Sequence, residues 1–239
     1  MHGLGIRVFG SQLDNNPARF INNLNLVQET GFDSIEICPE DFDLISCGDL
    51  EQNFVMQLKS ILSGYNFRIS IHAPLSLNLF NRENPELHKK VFESTLELAR
   101  EIGSGLVVYH PGRYIDNIEF ARYGKPSVAD DEKVIMMQYE ANAMRHFADC
   151  YPEIMIAMEN HRSYIDYSPC SYAEFFDELD DQVRYINRKN VGLMIDTGHL
   201  FLASRYHKYD FMKVIKERKI NPVHFHVNDN HGIATFYTE

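Results

Sequence analysis

The chain has 239 residues, 44% of them hydrophobic, so it can bury a full core as one large α/β domain or two small ones. Its formal net charge is −11 with no Lys/Arg block, which argues against binding along a phosphate backbone. No apolar run reaches the length a bilayer needs, and no basic segment leads into an apolar one at the N-terminus, so the cytoplasm is the expected compartment.

The elements alternate strand and helix without a composition break. The first strand reads over 5–9. Asn16 and Pro17 open a helix as N-cap and first helical residue, Phe20, Leu24 and Val27 recur at helical spacing, and Gly31 closes it. Strand two covers 34–38 and a helix runs over 50–63. Strand three ends at His72. Pro85 starts a helix whose buried stripe is read as Leu87, Val91, Leu98 and Ile102, with Gly103 past its end. Strand four ends at His110. Residues 112–125 read as a longer loop able to cover a site, and Ser127 as the cap of a helix reaching about Cys150. Strand five spans 154–158. Ser171 starts a helix with Phe175, Phe176 and Leu179 on one side. Strand six spans 191–195. A helical stretch over 200–218 breaks near Tyr209 and Asp210, and strand seven covers 223–227. Four cysteines, Cys38, Cys47, Cys150 and Cys170, show no Cys-x-x-Cys spacing and read as reduced thiols.

Strands alternating with helices imply a parallel sheet. Seven such repeats of about thirty residues, with functional groups at the strand ends, suggest a (β/α)₈ barrel; a doubly wound open sheet is the alternative. The chain is read as a single domain over 1–239. It stops shortly after strand seven, without showing an eighth βα unit. Either it is truncated, or the barrel is left open and closed by something else.

Six side chains of metal-ligating type stand at the carboxyl ends of the apolar runs: His72, His110, Glu159, Asp196, His199 and His226. A charged or imidazole group at the end of a buried run is costly unless paired or metal-bound. One alone is more often a hydrogen-bonded packing residue. The same placement on consecutive strands suggests convergence at one end, where carboxylate and neutral imidazole donors suit Zn²⁺, Mn²⁺, Co²⁺ or Fe²⁺. His224 shares a strand face with His226 and reads equally as a supporting group or a satisfied core histidine. Glu36 ends strand two as a substrate contact or a structural ion pair. Arg113 and Arg162 could meet a phosphate or carboxylate, although a solvated arginine is the commoner case. Asp229 is expected to hold a ligand histidine or its loop, and His231, which forms an Asp-x-His pair with it that could bind a metal, is read as a loop residue.

The series His72-Ala-Pro, His110-Pro-Gly, Glu159-Asn, Asp196-x-x-His199 and His226-x-x-Asp229 resembles the xylose isomerase-like TIM-barrel superfamily. That group includes endonuclease IV and many sugar or sugar-phosphate isomerases and epimerases. The resemblance runs from strand one to strand seven. It implies that Glu159, Asp196 and His226 share a divalent metal. It also implies that His72, His110 and His199 match further ligands of the multi-zinc endonuclease branch.

The resemblance thus implies a metal-dependent isomerase or epimerase. It would work by proton transfer through a metal-stabilised enediolate, with Glu159 as base and Glu36, Arg162 and His224 toward substrate. The strand-eight glutamate of the family's epimerases is absent from the chain. The expected partner is a small sugar or sugar phosphate, with no membrane or nucleic acid and a homo-oligomer left open. The alternatives are an endonuclease IV-like phosphodiesterase on abasic DNA and a non-catalytic barrel that binds a metal or sugar.

Overall fold

A computed structural model describes residues 3–9, 17–115, 117–124 and 128–235. The caps expected at Asn16 and Ser127 lie outside the described residues. The chain divides into two compact units, 1–77 with 86–108 and 153–155, and 78–85 with 109–152 and 156–239.

The first unit holds β1 (Gly5–Val8), α1 (Pro17–Glu29), β2 (Ser34–Ile37), a two-residue hairpin of β3 (Ile45–Ser46) and β4 (Asp49–Leu50), α2 (Gln52–Leu62), β5 (Arg68–His72), nearly all of α3 (Pro85–Ile102), and β6 (Leu106–Tyr109) up to Val108. Its long strands follow chain order, β1-β2-β5-β6. They pair in parallel, with Ile35 opposite Ile69 and Ile71 opposite Val107. The helices end as their glycines require. Gly31 sits at φ +87° and Gly103 at φ +78°, a region open to residues without a Cβ. Phe20, Leu24, Ile35, Ile37, Leu58, Ile71 and Phe92 are among its buried apolar residues. The ring of Phe20 meets that of Phe42 edge-on at 5.4 Å.

Two local readings are corrected here. Residues 45–50, the last of them the expected start of the second helix, form the β3–β4 hairpin, with Ile45 opposite Leu50, and the helix begins at Gln52 instead. The buried side of α3 is Phe92, Thr95, Leu96, Leu98 and Ala99, whereas Leu87 is 43% exposed. Leu87 lies in the first turn of the helix.

The second unit holds α4 (Asn117–Tyr123), α5 (Asp130–Cys150), β7 (Met155–Glu159), α6 (Phe176–Ile186), β8 (Val191–Asp196), α7 (Thr197–His207), α8 (Phe211–Glu217) and β9 (His224–His226). The expected loop over 112–125 therefore contains a short helix. β7, β8 and β9 are parallel and again in chain order. Among the described residues neither unit shows the reversal of strand order that a doubly wound sheet requires. The expected break between the last two helices falls at Lys208, at φ 61°, and Asp210. The Asp210 carboxylate accepts from the backbone N–H groups of Met212 and Lys213 at 2.9 and 3.0 Å. Among the described residues no helix is long and apolar enough to cross a membrane. All four cysteines are free, Cys38 and Cys170 buried.

Candidate metal centre

Register places the donors of the second unit. Glu159 on β7 pairs with Met194 on β8. Met194 pairs with His224, and Asp196 with His226, on β9. Parallel partners in register share a face, and residues two apart on a strand return to it. Glu159, Asp196, His224 and His226 therefore project to one side at the strand carboxyl ends. One donor atom from each of Glu159, Asp196 and His226 lies within 4.8 Å of the others.

Glu159 is the centre of this group and is 1% exposed. Its Oε2 is 2.8 Å from His110 Nε2. Its Oε1 is 3.3 Å from His226 Nδ1 and 3.4 Å from His199 Nδ1. Three imidazoles thus surround one buried carboxylate. The two oxygens of Asp196 have separate surroundings. Oδ1 accepts from the His199 N–H at 2.7 Å and caps α7. Oδ2 accepts from Asn228 Nδ2 at 2.7 Å and lies 3.8 Å from His226 Nδ1. Two carboxylates and an imidazole at this spacing are a donor set that could hold a divalent ion.

The neighbouring residues fix these groups. Asn160, 1% exposed, clasps the end of β8. Its Oδ1 accepts from Asp196 N at 2.8 Å and its Nδ2 donates to Asp196 O at 3.1 Å. The Asn160 carbonyl lies 3.0 Å from His199 Nδ1, so that nitrogen donates to it and His199 Nε2 is left with a lone pair when the ring is neutral. A Cβ at Gly198 would come within 1.6 Å of Asn228 Oδ1, so glycine is needed there for Asn228 to reach Asp196. His110 follows β6 on a segment anchored by Glu140. The buried Glu140 carboxylate accepts from Tyr109 OH and Gly112 N at 2.8 and 2.7 Å, and also from Tyr172 OH. Burial pushes the Glu140 carboxyl up despite these hydrogen bonds.

His161 is also buried. Burial, then the charges of His110 and Arg113, hold its imidazole well below the usual range, so it is neutral. Farther along, burial pushes the Glu174 carboxyl up, but hydrogen bonds from His207, Ser163 and the Cys170 N–H outweigh it and hold it below its ordinary value.

The other expected site residues are placed as follows. His224 is half-buried on β9, its ring 5.5 Å from that of His226. The Arg162 guanidinium lies over the Tyr164 ring at 5.3 Å. Arg113 is buried; its backbone N–H donates to Asn78 Oδ1 and its carbonyl accepts from Asn78 Nδ2. Asp229 and His231 are exposed. Glu36 and His72 belong to the first unit. Glu36, on β2, has its Oε2 3.5 Å from Ser70 Oγ. His72 ends β5, with Nδ1 2.7 Å from the Ala73 carbonyl. The roles of Asn160, Asn228 and His161 escaped the sequence reading. A polar residue just past a strand end carries no periodic signal, and only the register shows what it meets.

Residues 24–235 match the model of a family described as xylose isomerase-like TIM barrel. No curated protein matches the chain. Among solved structures, a D-tagatose 3-epimerase-like protein is 23% identical with a TM-score of 0.69, covering 96% of this chain and 77% of its own. Endonuclease IV from Thermus thermophilus is 17% identical with a TM-score of 0.56, covering 89% of this chain and 69% of its own. A xylose isomerase-like TIM-barrel protein from Mycobacterium smegmatis, in complex with magnesium, is 16% identical with a TM-score of 0.57, covering 83% and 66%.

Proposed function

The chain belongs to the xylose isomerase-like TIM-barrel family, and we propose that it is a divalent-metal-dependent isomerase or epimerase of a sugar or sugar phosphate. The observation that carries the reading is the convergence of Glu159, Asp196 and His226 from the ends of three successive parallel strands. In this reading those three residues hold the ion. A bound divalent ion would polarise a substrate carbonyl and its neighbouring hydroxyl and offset the negative charge left when a proton departs from the adjacent carbon.

The remaining chemistry falls to the side chains. Glu159 takes that proton as general base. Its burial keeps water from competing, and the three imidazoles around it hold its two oxygens in fixed directions. Asn228 keeps Asp196 Oδ2 aimed at the same point, while Oδ1 is committed to the helix cap. His224 and Arg162 remain proposed substrate contacts. For His72 and Glu36, the roles of ion ligand and substrate contact likewise stand as proposals.

Support for a sugar substrate comes from the structural likeness to a D-tagatose 3-epimerase-like protein. The test is to incubate the metal-loaded protein with ketohexoses and their phosphates in deuterated water and look for deuterium at the carbon next to the carbonyl. Exchange by the wild type and none by Glu159→Gln supports the reading. Full exchange by Glu159→Gln refutes the base assignment.

A second reading is a metal-dependent phosphodiesterase. What favours it is that His110 and His199 also lie against Glu159, at 2.8 and 3.4 Å, giving more donors than one ion needs. Three ions per chain and cleavage of an abasic-site oligonucleotide would favour this reading. One ion per chain and no cleavage would favour the isomerase.

A further inference from the structure

His161 lies two residues beyond Glu159 and takes no part in the reaction described above. It is 4% exposed. Its Nδ1 is 3.1 Å from the Arg162 carbonyl oxygen. A carbonyl only accepts, so Nδ1 carries the proton and Nε2 carries a lone pair. That Nε2 is buried with no hydrogen-bond donor among the described residues, a state that calls for a reason in a folded protein.

The surroundings supply one. The His161 ring stands edge-on to that of His110, with centroids 5.4 Å apart and planes at 63°. Two imidazoles at that centroid separation are close enough for a nitrogen of one ring to reach a nitrogen of the other at hydrogen-bond distance when the rings turn toward each other. His110 turns its Nε2 to Glu159, at 2.8 Å. When a histidine lends one ring nitrogen to a metal, its proton resides on the other, and an acceptor for that proton fixes the ring. The His161 backbone is itself fixed, its N–H donating to the Ala173 carbonyl at 2.9 Å. The residue before it holds the end of β8.

We infer that His161 is a positioning residue for His110: its Nε2 accepts the Nδ1 proton of His110 once His110 Nε2 coordinates a divalent ion. The inference rests on the reading of the site as a metal centre and, beyond the three ligands named above, takes His110 as a further ion ligand. It gives the buried lone pair a purpose.

The experiment compares wild type, His161→Gln and His161→Asn. The Gln amide oxygen reaches the place of Nε2, whereas the Asn amide reaches only that of Nδ1. Each folded protein, checked by circular dichroism, is titrated with Zn²⁺ and Mn²⁺ against a chromophoric chelator. Ring ¹⁵N spectra of the wild type are recorded with and without Zn²⁺. The expected result is roughly ten- to hundredfold weaker binding in His161→Asn, with His161→Gln close to wild type. In the spectra His161 Nε2 is unprotonated throughout and shifts on Zn²⁺ addition. Equal affinity in all three proteins overturns the inference, as does a protonated His161 Nε2; either result leaves the metal reading standing. A wild type that binds no divalent ion overturns both.

Discussion

Asn160→Ala removes a side chain that makes two buried hydrogen bonds to one residue, to Asp196 N at 2.8 Å and to Asp196 O at 3.1 Å. The cavity left by so small a truncation matters less than the N–H it strands. Asp196 is 3% exposed, so its N–H would lose its partner with little access to water, while its C=O keeps the first intrahelical bond of α7, whose N-cap it is. A buried polar group stranded in this way costs about 1–3 kcal/mol. With a urea slope of about 1–3 kcal/mol per molar, the unfolding midpoint should fall by about 1 M. Asn160→Asp is the informative companion. It keeps an acceptor for Asp196 N but sets an oxygen against Asp196 O. It should be at least as destabilising at neutral pH, and should recover partly in acid, when the new carboxyl can donate. Urea unfolding of the three proteins, followed by circular dichroism, makes the comparison. A loss below about 0.5 kcal/mol in Asn160→Ala, the range of an ordinary surface change, would refute the clasp.

Two further predictions use the same reasoning. Gly198→Ala drives a methyl into Asn228 Oδ1, which would lie 1.6 Å away. Asn228 is exposed enough to swing aside, so stability should change by less than about 1 kcal/mol while divalent-ion affinity falls; calorimetric titration with unchanged affinity would contradict this. The Glu174 carboxyl, ordinarily near 4.5, is lowered in the folded protein. Its stabilisation is therefore complete above that value and is lost as the pH falls below it. The gap in urea midpoint between wild type and Glu174→Gln should narrow as the pH drops from 7 toward 3, and a constant gap would count against the shift.

Much of the strand framework was legible because the main strands are short aliphatic runs, several of which end on a polar donor. Glu159, Asp196 and His226 stand out for that reason, and the register then brings them together. The break before Asp210 was legible too, since an aspartate that caps a helix also interrupts the one before it. The hairpin over 45–50 was not, because two-residue strands give too few positions for an alternation to show. The stripe on α3 was misread because Leu87 fits the helical period but lies in the first turn, where it stays 43% exposed. Asn160, Asn228 and the Glu140 anchor were invisible for a different reason. Their importance comes from partners 28 to 36 residues away in sequence, and spacing alone does not reveal those.

The most direct test of the central claim is diffraction from zinc-soaked crystals at wavelengths on either side of the zinc edge. The account predicts an anomalous peak at coordination distance, about 2.0–2.2 Å, from Glu159, Asp196 and His226 together. Full zinc loading in solution with the peak elsewhere, or no zinc bound at all, would contradict it.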